Sequence, residues 1–107
     1  MLLTLWRHGE AGFAATDEVR ALTPRGRVEV VAMAKGYVAW VGVSGLGLVS
    51  LLLHSPYQRT VETAELLGEQ LRPCSQKVDL SLAPGAHPEA FSENDYSGHE
   101  HIVMVSH

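Results

Sequence analysis

The stretch LVSLLLHSPYQRTVETAELLGEQL, Leu48–Leu71, decides the fold. Its opening residues are apolar apart from Ser50, as a strand buried in a sheet requires. Ser55-Pro56 follows, a capping residue and then a proline whose fixed φ suits the first position of a helix. Val61, Ala64, Leu67 and Leu71 then recur at helical spacing, and Pro73 closes the helix. A buried strand that runs through a polar corner into an amphipathic helix is the building unit of an α/β protein.

The same grammar extends outward. Leu2–Trp6 reads as a short buried strand and Ala11–Leu22 as a loop. Thr23-Pro24 starts a second helix, which continues to about Trp40. Val28, Val31, Ala32 and Tyr37 are expected toward the core, with Arg25, Arg27, Glu29 and Lys35 outward. Gly26 and Gly36 weaken this helix. Val78–Leu82 and His101–Val105 read as further strands. Ala83–Gly98 reads as loop, with at most one helical turn at Pro88–Phe91. The order is strand, helix, strand, helix, strand, loop, strand, which favours a layered α/β fold with a largely parallel sheet. No repeat or linker divides the chain, so residues 1–107 are expected to form one domain.

Composition narrows the function. The 107 residues are 46% apolar, enough for a modest core, and carry a net charge of −4. That balance argues against a general nucleic-acid or acidic-membrane binder, which needs a basic footprint. A single cysteine, Cys74, excludes an intramolecular disulfide and suits a reducing cytoplasm. No basic segment precedes the first apolar residues, so a secretory signal is not expected. Gly36–Gln58 holds no charged residue and is long enough to span a bilayer. The favoured reading splits it into a helix end, a turn punctuated by Gly42, Gly45 and Gly47, and a buried strand.

Polar residues follow three of the strands directly. Arg7-His8-Gly9 follows the first, His54-Ser55-Pro56 and then Arg59 the second, and Ser106-His107 the last. In a parallel sheet the carboxyl ends of the strands share one edge, where ligands bind. Arginine offers a fixed fork of donors matched to phosphate oxygens, and a neutral imidazole nitrogen can attack phosphorus. Such an imidazole needs one nitrogen free and the other fixed by a hydrogen bond, and sequence leaves open which is which. Gly9 would let the backbone approach a bound anion closely. Arg59 falls near a helix N-terminus, itself favourable to anions.

These residues carry a resemblance. RHGEA at Arg7–Ala11, SPYQRTVETA at Ser55–Ala64 and VSH at Val105–His107 resemble the histidine phosphatase, or phosphoglycerate mutase-like, superfamily. TDEVRALTPRG, Thr16–Gly26, resembles its small bacterial phosphohistidine phosphatases. RHG alone is a weak motif, but the three in this order form a specific set. The resemblance implies a three-layer fold with a mostly parallel sheet, C-terminally incomplete because relatives continue past the second histidine. It implies His8 as the nucleophile, forming a transient phosphohistidine. Arg7 and Arg59 would hold the phosphoryl oxygens, His107 would stabilise their charge, and Arg20 would flank the pocket mouth. No metal or organic cofactor is implied. The implied partner is a phosphorylated histidine-phosphotransfer domain or another phosphoprotein, with a phosphate anion in the pocket.

Several readings stay open. Glu10, Asp17, Glu18 and Glu89 are all available as an acid for the leaving group. The alternatives to a protein phosphohistidine phosphatase are a phosphomonoesterase for a small molecule and a non-catalytic phosphate-binding module. His99, His101 and His107 do not have the spacing of a zinc site. His54 and His87 read as surface or supporting residues, and Glu62, Glu65 and Glu69 as a solvated helix face.

Overall fold

A computed structural model describes residues 2–85, 96 and 98–107. The possible turn at Pro88–Phe91, together with His87 and Glu89, lies outside the described residues. The elements are β1 (Leu2–Arg7), α1 (Pro24–Ser44), β2 (Leu51–His54), α2 (Gln58–Leu71), β3 (Ser75–Val78) and β4 (His101–Ser106). Single 3-10 turns occupy Asp17–Val19 and Leu80–Leu82. The sheet runs β1-β4-β2-β3, with every pairing parallel.

Alternation along the central strands separates two apolar faces. Leu52, Val103, Val105 and Trp6 meet Val30 and Ala34 of α1 and Ala64 and Leu67 of α2. Leu51, Leu53, Ile102 and Met104 point the other way, toward Leu3, Leu82 and Tyr96. Both described helices therefore pack on one face, giving two of the expected layers.

α1 begins as its sequence suggests. Thr23 Oγ1 accepts a hydrogen bond from the Gly26 amide at 2.9 Å, and Pro24 occupies the first turn. The helix runs past Trp40 to Ser44, where Gly45 at φ +70° supplies the left-handed cap. Gly42 alone does not break it. Its inward stripe is Gly26, Val30, Ala34 and Val41. Val28 is exposed and Val31 only partly buried, so the expected core face is rotated. Gly26 causes the rotation: a Cβ there would meet Glu10 O at 2.3 Å, so the helix packs its bare backbone onto the Arg7–Ala11 segment. No helix among the described residues is long and apolar enough to cross a membrane.

Two further boundaries differ from expectation. β3 is Ser75–Val78, and Leu80–Leu82 forms a 3-10 turn capped by Asp79, whose carboxylate accepts from Ser81 N at 2.9 Å. α2 starts at Gln58 rather than at Ser55-Pro56. Ser55 does not cap it with its side chain, which serves the candidate site instead.

Candidate active site

Parallel register builds the site. Arg7 on β1 pairs with Ser106 on β4, and His8 N donates to Ser106 O at 3.1 Å. The next residue on each strand is a histidine, and neighbouring strands lie about 4.8 Å apart. The His8 and His107 rings accordingly sit 5.3 Å apart between centroids. On the other side of β4, His54 on β2 pairs with Val105, which places Ser55 beside His107. Ser55 Oγ lies 2.8 Å from His107 Nε2 and 2.6 Å from Thr60 Oγ1.

The tautomer of His8 follows from its partner. Nδ1 lies 2.7 Å from Gly9 O, a carbonyl that only accepts, so Nδ1 carries the proton. Nε2 then has a lone pair, toward which Arg59 Nε donates at 3.3 Å. Arg59 comes from the first turn of α2 and is 5% exposed. One turn later on the same face, Thr63 Oγ1 donates to Arg59 O at 2.7 Å and accepts from Gly9 N at 3.1 Å. Thr63 thereby ties the Gly9 backbone to the helix that presents Arg59. The Arg59 guanidinium also lies 5.0 Å from the Tyr57 ring centre, and Tyr57 packs edge-on against His107.

A buried guanidinium needs an anionic partner. Arg59 finds it in Asp17: Nη2 donates to Oδ2 at 3.1 Å and Nη1 to the backbone carbonyl at 2.8 Å. Arg20 holds the other carboxylate oxygen at 3.1 Å, while its Nε donates to Gly12 O at 2.7 Å. The paired arginines hold the Asp17 carboxyl below the usual carboxylate range, Arg20 more strongly than Arg59. Arg7 ends β1 and is exposed, close enough for its charge to act on His8.

Burial and cations together keep both imidazoles neutral. His8 is held below the ordinary histidine value chiefly by desolvation, with Arg59, Arg7 and Arg20 adding to it and the Gly9 carbonyl opposing. Desolvation lowers His107 to about 4, helped by Arg59 and His8 and opposed by Asp17. The chemistry open to such a cluster is a neutral imidazole nucleophile inside a field of fixed positive charge.

Not every expected residue takes its expected place. The space a Cβ would fill at Gly9 belongs to Val30, Gly26 and Leu22, at 2.7, 3.2 and 3.3 Å. Gly9 thus makes room for α1 and for the Leu22 side chain ahead of it. Among the acid candidates, Glu10 accepts from Thr23 Oγ1 at 2.8 Å, Asp17 lies on the arginines, and Glu18 is exposed on the same turn. Glu62 is no solvated residue: its carboxylate accepts from Leu22 N at 2.7 Å and pairs with Arg27 at 3.7 Å. The three grouped histidines go to separate partners, His99 to Ser50, His101 to Tyr37 and Gly47, and His107 to Ser55. Beside β1, a groove of about 480 Å³ is lined by Leu5, Arg7, His8, Glu10, Val30 and Met33, among others.

Comparison with known proteins agrees with this architecture. A structure of the protein histidine phosphatase SixA complexed with tungstate superposes at a TM-score of 0.81 and 29% identity, over 100% of this chain and 69% of that one. A putative phosphohistidine phosphatase SixA from Nakamurella multipartitia matches at 0.72 and 25%, over 98% and 58%. A phosphoglycerate mutase from Plasmodium falciparum shares the fold at 0.68 and 21%, over 98% and 60%. No family model and no curated protein matches the sequence. The chain has the phosphoglycerate mutase-like fold of the histidine phosphatase superfamily. Within it, the chain is similar to the SixA phosphohistidine phosphatases and spans 58–69% of the length of the two compared.

Proposed function

We propose that this chain is a phosphohistidine phosphatase that works through a covalent phosphoryl group on His8. The observation that carries the reading is the fixed tautomer. Gly9 O holds the Nδ1 proton and leaves Nε2 as a lone-pair donor between Arg59 and His107. The similarity to SixA, one of whose structures is complexed with tungstate, supports the binding of a phosphate-like oxyanion.

The reaction runs in two transfers. His8 Nε2 attacks phosphorus, the bond from phosphorus to the leaving group breaks, and the leaving atom takes up a proton from solvent water. Water then attacks the phosphoryl group on His8, releasing inorganic phosphate and returning the neutral imidazole. Arg7 and Arg59 bind the phosphoryl oxygens and offset the charge of the transition state. His107, positioned by Ser55, donates to one of them, and Arg20 stands at the rim. The partner that fits is a phosphorylated histidine-phosphotransfer domain. Its leaving group is an imidazole, which needs less acid assistance than an alkoxide.

A substrate panel tests the class. Hydrolysis of a phosphohistidine-bearing domain should exceed that of aryl and sugar phosphates by at least about tenfold in kcat/KM, a difference of roughly 1.4 kcal/mol. The reverse order would assign the site to small-molecule phosphomonoesters.

A further inference from the structure

We propose that Asp17 is an internal anion that occupies the phosphoryl site and sets which ligands it admits. The inference rests on the reading of Arg59 as the phosphoryl clamp. Every nitrogen of Arg59 is already engaged: Nε with His8 Nε2, Nη1 with Asp17 O and Nη2 with Asp17 Oδ2. The fork that would take two phosphoryl oxygens holds a carbonyl and a carboxylate oxygen instead. The second carboxylate oxygen reaches Arg20. Asp17 thus bridges two guanidiniums, as the oxygens of a phosphate would.

The segment that carries Asp17 is built to let go. Residues 13–19 are all exposed, and the Asp17 side chain is 52% exposed against 6% for Arg59. The base of the segment is pinned. Gly12 N donates to Ala21 O, Ala11 bridges Leu22, and Leu22 N donates to Glu62. The carboxylate can therefore swing away without uncovering any core, while Arg20 stays anchored to Gly12 O.

The consequence is a threshold. A tethered carboxylate competes at high effective concentration. A second carboxylate, with one charge and two oxygens, gains nothing by replacing it. A phosphoryl group brings a charge of about −2 and three strong acceptor oxygens, and so gains by the exchange.

Titration with inorganic phosphate and with acetate, followed by calorimetry and by the amide signals of residues 7–9, tests this. Phosphate should bind the parent chain and fail to bind Arg59→Ala. Asp17→Asn and Asp17→Ala should bind phosphate about tenfold more tightly, the factor withheld by a contact held roughly nine-tenths of the time. Acetate should bind these two variants and not the parent. Both variants leave the buried Arg59 guanidinium without its carboxylate and should melt below the parent, and saturating phosphate should raise their melting temperature by more than it raises the parent's. Equal or weaker phosphate binding by both would overturn the inference, leaving Asp17 as a group that supports the ligand. Phosphate binding that survives Arg59→Ala would instead remove the clamp reading, and this inference with it.

Discussion

His107 titrates far from free histidine, at about 4 against an ordinary 6.5, because it is desolvated beside Arg59 and His8. The sign of the linkage is definite. The unfolded chain takes up the proton first as pH falls, so the stabilising effect is complete above 6.5 and is lost between 6.5 and about 4. His8 adds to the loss in the same direction. Melting temperature should therefore fall as pH drops through that window, and the His107 ring signal should titrate near its lower end. A ring midpoint near 6.5 would show that the imidazole is solvated. Ser55→Ala removes the partner of His107 Nε2 and of Thr60 Oγ1 from a fully buried position. It should cost about 1–3 kcal/mol in urea unfolding and lower kcat more than it raises KM. Much of this scale is legible in sequence, since Arg7, His8 and His107 lie at strand ends and Arg59 in the first turn of the helix that follows the second strand. Asp17 and the joint between Thr63 and Gly9 are not legible. They depend on where a loop folds back, and the spacing of Arg59 to Thr63 offers only a hint that the two share a face.

The elements show how a local rule is overruled by packing. Gly26 looks like a weak point in α1, and replacing it with alanine would add about 1 kcal/mol of helix propensity. The new Cβ would meet Glu10 O at 2.3 Å, a backbone atom that does not yield easily. Overpacking costs about 1–3 kcal/mol, so Gly26→Ala should be net destabilising, and urea midpoints decide it. A more stable variant would show that the contact between α1 and the Glu10 segment is loose. The same contact turns Val28 outward and brings Val30 inward, which periodicity alone does not reveal because this helix is apolar on several sides. The start of α1 and the presence of both central strands are legible, since Thr23-Pro24 and the unbroken leucines are strong signals, whereas β2 begins at Leu51 rather than Leu48 and α2 at Gln58, past Ser55-Pro56. The end of α1 was not, because Gly42 reads as a breaker although Gly45 is the cap.

At the scale of the whole molecule, the two edges of the described sheet differ. β3 carries Lys77 and Gln76, while β1 has no charge before its last residue, Arg7, and leaves Leu5 70% exposed. Uncharged edge strands pair with other chains. This chain should therefore sediment with concentration-dependent association that Leu5→Lys reduces, and an ideal monomer at all concentrations would contradict that. Strand order is the feature sequence hides most completely. β4 lies between β1 and β2, and that placement alone brings His107 between His8 and Ser55.

The most direct test of the account is transfer of a labelled phosphoryl group. The chain is mixed with a labelled phosphohistidine-bearing domain, quenched without acid and inspected for label, with His8→Ala alongside. The account predicts label on the parent and none on the variant. Label that persists in His8→Ala, or none on a folded parent while substrate remains intact, would contradict it.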